Sequence, residues 1–176
     1  MALTLYASDF MKRRAFMSSL ASLGVAVAAA PRTCFALDYD KYIPLDAEDL
    51  AETGIKAAYE KLRPSLRKYI PQAAAIRELI NNDEPSYTVV CQGVRYFIYG
   101  GANQDHSWDN ATFALFDIVN RQLAKTKVRF FAFNHGNDLG GMFLPPAEAE
   151  ASKKTLPRKA DWPYLPVRET PKAVKK

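Results

Sequence analysis

His106 and His135 are the only histidines in this 176-residue chain, and each stands in a loop rich in acids: Asp105-His106-Ser107-Trp108-Asp109 and His135-Gly136-Asn137-Asp138. Imidazole beside carboxylate can hold a divalent metal or share a proton between an acid and a base. The candidates for acid–base work are His106, His135, Asp105 and Asp138; for a metal they are His106, His135, Asp109 and Asp138. Neither loop has the spacing of an established metal or catalytic motif, because His-Glu-x-x-His, His-x-His and paired cysteines are all missing. Asp, Asn, Gly and His are also what turns need, through side-chain capping and tolerance of left-handed backbone, so a plain turn role stands beside the chemical one. No cofactor is expected, with a divalent metal as the one exception should the loops converge.

Other nucleophiles are poorly placed. Cys91 lies among Val89, Val90 and Val94 in a strand-like run, where a thiol acts as a small buried hydrophobe. There is no Gly-x-Ser-x-Gly elbow, and Gly140-Gly141 lacks the lysine of a phosphate loop and reads as a strand bulge. Aromatic side chains say more. Tyr96, Tyr99, Phe131 and Phe133 belong to runs whose aromatics point to both strand faces, and Trp108 and Trp162 flank them in loop and tail. These six are the candidate binding residues. A small sheet cannot bury both faces alone, so the second face is expected to be covered by the Trp162–Leu165 segment, by a second copy in a homodimer, or by another protein.

The elements that must position these groups follow from periodicity. Leu50, Ile55, Ala58, Leu62, Leu66, Tyr69 and Ile70 form a helical stripe that continues through Ile76, Leu79 and Ile80, with Pro64 and Pro71 dividing it into consecutive helices. Asn81-Asn82-Asp83-Glu84-Pro85 is a turn. Residues 87–99 are β-branched and aromatic, and Gln92-Gly93 makes them a hairpin or one bulged strand, with the hairpin preferred. A helix capped by Ser107 or Asp109 runs to Leu123 and is apolar around most of its circumference, so it must be covered on more than one side. Strands at Val128–Phe133 and Leu139–Leu144 and a short helix after Pro145-Pro146 complete the body. The fold class is α+β: a small mixed or antiparallel sheet with helices mainly on one face, in the order α-α-ββ-α-ββ-α. Should the strands before the two histidine loops run parallel through the crossover helix, both loops would emerge at one sheet edge, where α/β ligand sites lie.

Composition, 48% hydrophobic and 24% charged, excludes wholesale disorder and coiled-coil rods. The net charge of +5 is unevenly placed. Residues 1–36 contribute +3 and residues 153–176 contribute +6, whereas the body, 37–152, has 12 basic against 16 acidic side chains. A nucleic-acid-binding body needs a positive face to neutralise phosphates, and no nucleic-acid partner is expected here.

The N-terminus has the three parts of an export signal: basic Lys12-Arg13-Arg14, an apolar stretch built from Ala, Ser and Gly, and a small-residue exit. Arg13-Arg14 followed by Phe16 resembles the twin-arginine export signal, with Lys12 where that family usually carries Ser or Thr. Cleavage after Ala36 fits best, and Met1 or Met11 is the start. The stretch from Ala15 to Ala30 is short and weakly apolar for a retained membrane anchor. The resemblance implies a twin-arginine translocase as partner during export, a periplasmic or secreted location, and passage of an already folded chain, often with a cofactor aboard. The organisation expected is a signal peptide (1–36), one α+β domain (37–152) and a basic, proline-punctuated tail (153–176). The function expected is that of a non-enzymatic binding or accessory module using its aromatic sheet face and loops, toward an unknown protein or small ligand. The alternative is a small metal-assisted or acid–base enzyme using His106 and His135 with neighbouring aspartates.

Overall fold

The computed structural model describes residues 37–101 and 105–168. Arg13, Arg14, Phe16 and the cleavage position after Ala36 lie outside the described residues.

Asp46 opens the first helix. Its carboxylate accepts hydrogen bonds from the backbone N–H groups of Glu48 (2.8 Å) and Asp49 (3.2 Å), two donors that a helix start otherwise leaves free. Helix α1 (Ala47–Glu52) buries Leu50 and Ala51 and ends before Gly54, whose φ of +115° suits glycine alone. Helix α2 (Ile55–Leu66) then begins without a cap from its own flank. The Tyr87 hydroxyl accepts from Ile55 N–H at 2.7 Å, and Glu78 accepts both from Lys56 N–H at 2.9 Å and from the Tyr87 hydroxyl. Two strands therefore cap this helix. The division expected at Pro64 falls instead at Gly54, and Pro64 sits near the end of α2, where the bond it deletes is one of the last in the helix.

Helical periodicity also misassigns residues 76–81. Ile76, Leu79 and Ile80 fit a helix stripe, yet Ile76–Asn81 is a strand, here β2, since a run so short does not separate the two periods. Its antiparallel pairing with β3 (Ser86–Cys91) across the Asn81–Pro85 turn decides the matter. Gln92 (φ 48°) and Gly93 (φ 80°) supply the two left-handed residues of a tight hairpin into β4 (Val94–Gly100), as the sequence indicates.

The architecture is α+β, with helices packed on antiparallel sheets. Among the described residues six strands divide equally: β2-β3-β4 form one sheet, and β1 (Ile43–Pro44), β6 (Gly140–Leu144) and β5 (Arg129–Phe133) form the other in the order β1-β6-β5. Helix α3 (Ser107–Gln122) lies against both and against α1, burying Ala111, Ala114, Leu115, Phe116, Ile118 and Val119. Its polar groups are bonded to what they meet. Asn110 Nδ2 donates to Ile98 O (3.0 Å), Asp117 accepts from the buried Tyr96 hydroxyl (2.7 Å), and the Asn120 amide bonds both the N–H and the C=O of Phe130 (2.8 and 2.9 Å). The Arg129 guanidinium donates to the carbonyls of Leu123, Ala124, Thr126 and Val128 and so closes the C-terminal end of α3. At its start the N-cap position is His106, whose side chain makes no capping bond, so neither Ser107 nor Asp109 is the cap.

Both faces of the β1-β6-β5 sheet are covered. Phe130 and Phe143 face α3, with Phe116 stacked on Phe130 at 4.7 Å. Phe131, Phe133, Met142 and Leu144 pack on the other side beneath Ala149 of α4 (Pro146–Ser152) and beside Leu37 and Tyr42. Gly140-Gly141 is regular strand rather than a bulge, and a Cβ at either would collide with the Tyr42 or Phe130 ring. Among the described residues the β2-β3-β4 sheet is covered by helices on one face only. In its outer rows, Arg77–Val90–Arg95 and Leu79–Thr88–Phe97, the middle Val90 and Thr88 and the flanking Leu79 are half-buried, and Phe97 is 38% exposed.

Two outcomes are expected. A Cβ at position 54 would stand 2.8 Å from Glu78 Oε1 in a left-handed conformation, so Gly54→Ala lowers the urea-unfolding free energy by about 1–3 kcal/mol. Glu78→Gln keeps an acceptor for Lys56 N–H, and its loss is smaller. Burial holds the phenols of Tyr59, Tyr87, Tyr96 and Tyr164 above the ordinary tyrosine range. As pH climbs past ~10 the unfolded chain releases those protons first, which draws the equilibrium toward unfolding. Urea midpoints are therefore insensitive to these groups at pH 8 and fall between about pH 10 and 11.

Candidate functional site

The residues that converge sit where the first turns of α3, the loop after β5 and the C-terminal segment meet. Thr112 lies four residues after Trp108 and three after Asp109 on α3, so its side chain neighbours both. With His135, Gly136 and Tyr164 they line a cleft of about 260 Å³. Helix α3 can present this face because Asn110 and Asp117 fix its rotation against β4.

The His135 loop has an imposed shape. Asn134 (φ 55°) and Gly136 (φ 61°) both take left-handed backbone, which Asn and Gly tolerate best. Tyr164 arrives through the tail. Its backbone N–H and C=O both bond Ala132 on the outer edge of β5 (3.0 and 2.8 Å), a single antiparallel bridge. Its ring stacks on His135 at 4.7 Å with planes 28° apart. The Tyr164 hydroxyl donates to Asn134 O at 2.8 Å and lies 2.9 Å from His135 Nδ1. A carbonyl oxygen only accepts, so the single phenolic proton belongs to Asn134 O, and Nδ1 must carry the hydrogen of the second contact. The neutral His135 ring is thereby held as the Nδ1–H tautomer, with Nε2 left as an acceptor. Burial first, and then the Asp109 carboxylate, push the Tyr164 phenol up to about 12, so it stays a neutral donor through the physiological range.

Thr112 is the polar floor. It is only 9% exposed, and its hydroxyl makes no hydrogen bond among the described residues. Arg63 Nε is the side-chain polar atom sealed away without a partner among the described residues, so the Thr112 oxygen is open to the cleft.

The remaining expected site residues are placed as follows. His106 and Asp105 are exposed beside the start of α3, and His106 is not among the residues lining the His135 cleft. The strands before the two histidine loops, β4 and β5, belong to different sheets, so the single shared edge does not form. Asp138 lies in the short 3-10 turn Gly136–Asp138, its carbonyl accepting from the Tyr42 hydroxyl at 3.3 Å. Among the described residues no three His, Cys, Asp or Glu side chains are placed to hold a metal ion. Tyr96 is buried beneath α3, Phe131 and Phe133 are buried beneath α4, and Tyr99 is half-buried against Tyr87 at 5.8 Å. Trp162 is half-buried, donating from Nε1 to Leu156 O at 3.2 Å between Lys153 and Lys159. Of the six aromatic candidates, Trp108 alone is an exposed wall of the cleft, at 39%. Cys91 is buried and its thiol is pushed up by that burial, away from thiolate chemistry. Thr112 and Tyr164 were missed as site residues; the Trp108–Thr112 spacing and the Trp162-Pro-Tyr-Leu cluster were their available signals.

A larger groove of about 500 Å³ runs beside α1 and is mainly apolar. Among its polar side chains, Asp46 caps α1 and Asn137 donates to Glu48 at 3.2 Å.

Tyr164→Phe keeps the ring and deletes the bond that fixes the tautomer. In long-range ¹H–¹⁵N spectra His135 shows the Nδ1–H pattern in the parent protein and a mixture in the variant, with a stability loss of about 1 kcal/mol. No protein-family model matches the chain, and neither a curated protein nor a solved structure matches it, so the cleft is interpreted from its own geometry.

Proposed function

We propose that the chain acts after export as a binding module, and that its ligand occupies the cleft formed by Trp108, Asp109, Thr112, His135 and Tyr164. Export is supported by Arg13-Arg14, Phe16 and the small-residue exit at Ala36, which put the mature protein in the periplasm or outside the cell with the translocase as a transient partner. The Thr112 hydroxyl carries the binding role: it belongs to a buried residue, is bonded to no protein group among the described residues and opens into the cleft, where a ligand can bond it. Exposed Trp108 and the stacked His135–Tyr164 pair supply apolar surface around that hydroxyl, the usual composition of a small-molecule site. Moving the ligand from the aromatic sheet face to the loops follows from the burial of Tyr96, Phe131 and Phe133.

A second reading, acid–base chemistry at His135, is favoured by one observation. In the Nδ1–H tautomer of the neutral ring, which the Tyr164 and Asn134 contacts favour, Nε2 is the acceptor, and Asp109 lines the same cleft. It keeps one of the two expected histidines.

Protein recovered from the exported fraction is expected to begin at Leu37. Its ¹⁵N-labelled form, screened by NMR against mixtures of small amines, sugars and carboxylates, should give hits that shift the Trp108 indole and the Thr112 and His135 resonances together. Hits confined to Val90 and Phe97 would overturn the cleft as the binding site. Steady consumption of a compound, abolished by His135→Gln, would replace the binding role with the enzymatic one.

A further inference from the structure

We infer that the cleft is selective for a primary alkylammonium group, a ligand class that rests on the cleft being the binding site. Among the described residues, Asp109 is the one carboxylate lining it, and no lysine or arginine lines it. Asp109 makes no hydrogen bond or ion pair among the described residues, so no basic side chain neutralises it there. Three acceptor-bearing residues line the same small volume: Asp109 with its carboxylate, Thr112 with its hydroxyl oxygen and His135 with Nε2, which accepts in the neutral Nδ1–H tautomer. A primary ammonium has three N–H donors and no acceptor. The match is one of number and of sign.

The walls agree with the floor. Trp108 and Tyr164 offer aromatic surface, whose quadrupole attracts primary and quaternary cations alike in kind. Discrimination between the two must therefore come from the acceptors, which a quaternary nitrogen cannot use. The Asp109 field that helps to keep Tyr164 protonated is the same field that favours a cation. An anion would gain from the start of α3 but would meet Asp109 in the first turn, so the helix end is already complemented. The volume, about 260 Å³, lies below the ~300–1,000 Å³ of sites that bury a drug-sized molecule, which suits one head group on a short chain.

The test titrates mature protein with n-butylamine hydrochloride, Nα-acetyl-lysine methylamide, tetramethylammonium chloride, 1-butanol and sodium butyrate. Trp108 and His135 resonances are followed, with Trp108→Phe identifying the indole signal. The two primary ammonium probes are expected to saturate, at least several-fold tighter than the quaternary, neutral and anionic probes. Whichever of the two binds tighter assigns the source, a free amine or a lysine side chain. Asp109→Asn should weaken both by about tenfold and Thr112→Val by a smaller factor, with the backbone spectrum otherwise unchanged. Equal or tighter binding of 1-butanol, butyrate or tetramethylammonium at these residues would overturn the ammonium inference while leaving the cleft a ligand site. An unchanged spectrum with all five probes, together with screening hits elsewhere, would remove both.

Discussion

Two three-stranded antiparallel sheets have too little surface to stand alone, and here a single helix serves as the common partner of both. Helix α3 spans from β4 to β5 and offers apolar side chains around most of its girth, which is stable only when it is enclosed. Enclosure brings a second requirement, because Asn110, Asp117 and Asn120 are carried inward with it. Each meets a partner: Asn110 a β4 carbonyl, Asp117 a tyrosine hydroxyl, and Asn120 both backbone groups of Phe130. Such bonds add only about 0.5–1.5 kcal/mol each, but an unpaired group would cost more, so they restrict how the helix can rotate. The α3 side of the cleft inherits that restriction, since Trp108, Asp109 and Thr112 ride on the same cylinder.

The apolar girth of α3, the Gln92-Gly93 hairpin and the strands at Arg129–Phe133 and Gly140–Leu144 were legible because each has a local cause. What was not legible depended on distant partners. Ile76–Asn81 pairs with β3, and no pattern within six residues distinguishes that from one more helical turn. Gly54 separates α1 from α2 through a backbone conformation that its neighbours do not announce, whereas Pro64 looked the more obvious breaker. Gly140 and Gly141 resembled a bulge because the rings that require their bareness, Tyr42 and Phe130, come from elsewhere in the chain.

The candidate site was half visible for the same reason. His135 and Asp109 stood out by type, and so did Trp108 as a loop aromatic. Their connection to one another needed Tyr164, a residue in a proline-punctuated segment that looked peripheral. The aromatic run around Tyr96, Phe131 and Phe133 looked like a recognition surface and is core, because α3 and α4 cover the faces that the sequence left open. His106 and His135 seemed a pair on topology that would need β4 and β5 to share a sheet, and they do not.

The outer margin of β5 is sealed in two places by different means. Asn120 occupies the backbone groups of Phe130, and Tyr164 occupies those of Ala132. Without the second clasp the strand would carry a bare donor and acceptor next to buried phenylalanines, the kind of template on which foreign strands assemble. A proteolytic cut anywhere between Leu156 and Trp162 would thus do more than shorten the molecule. It would convert a protected rim into an adhesive one.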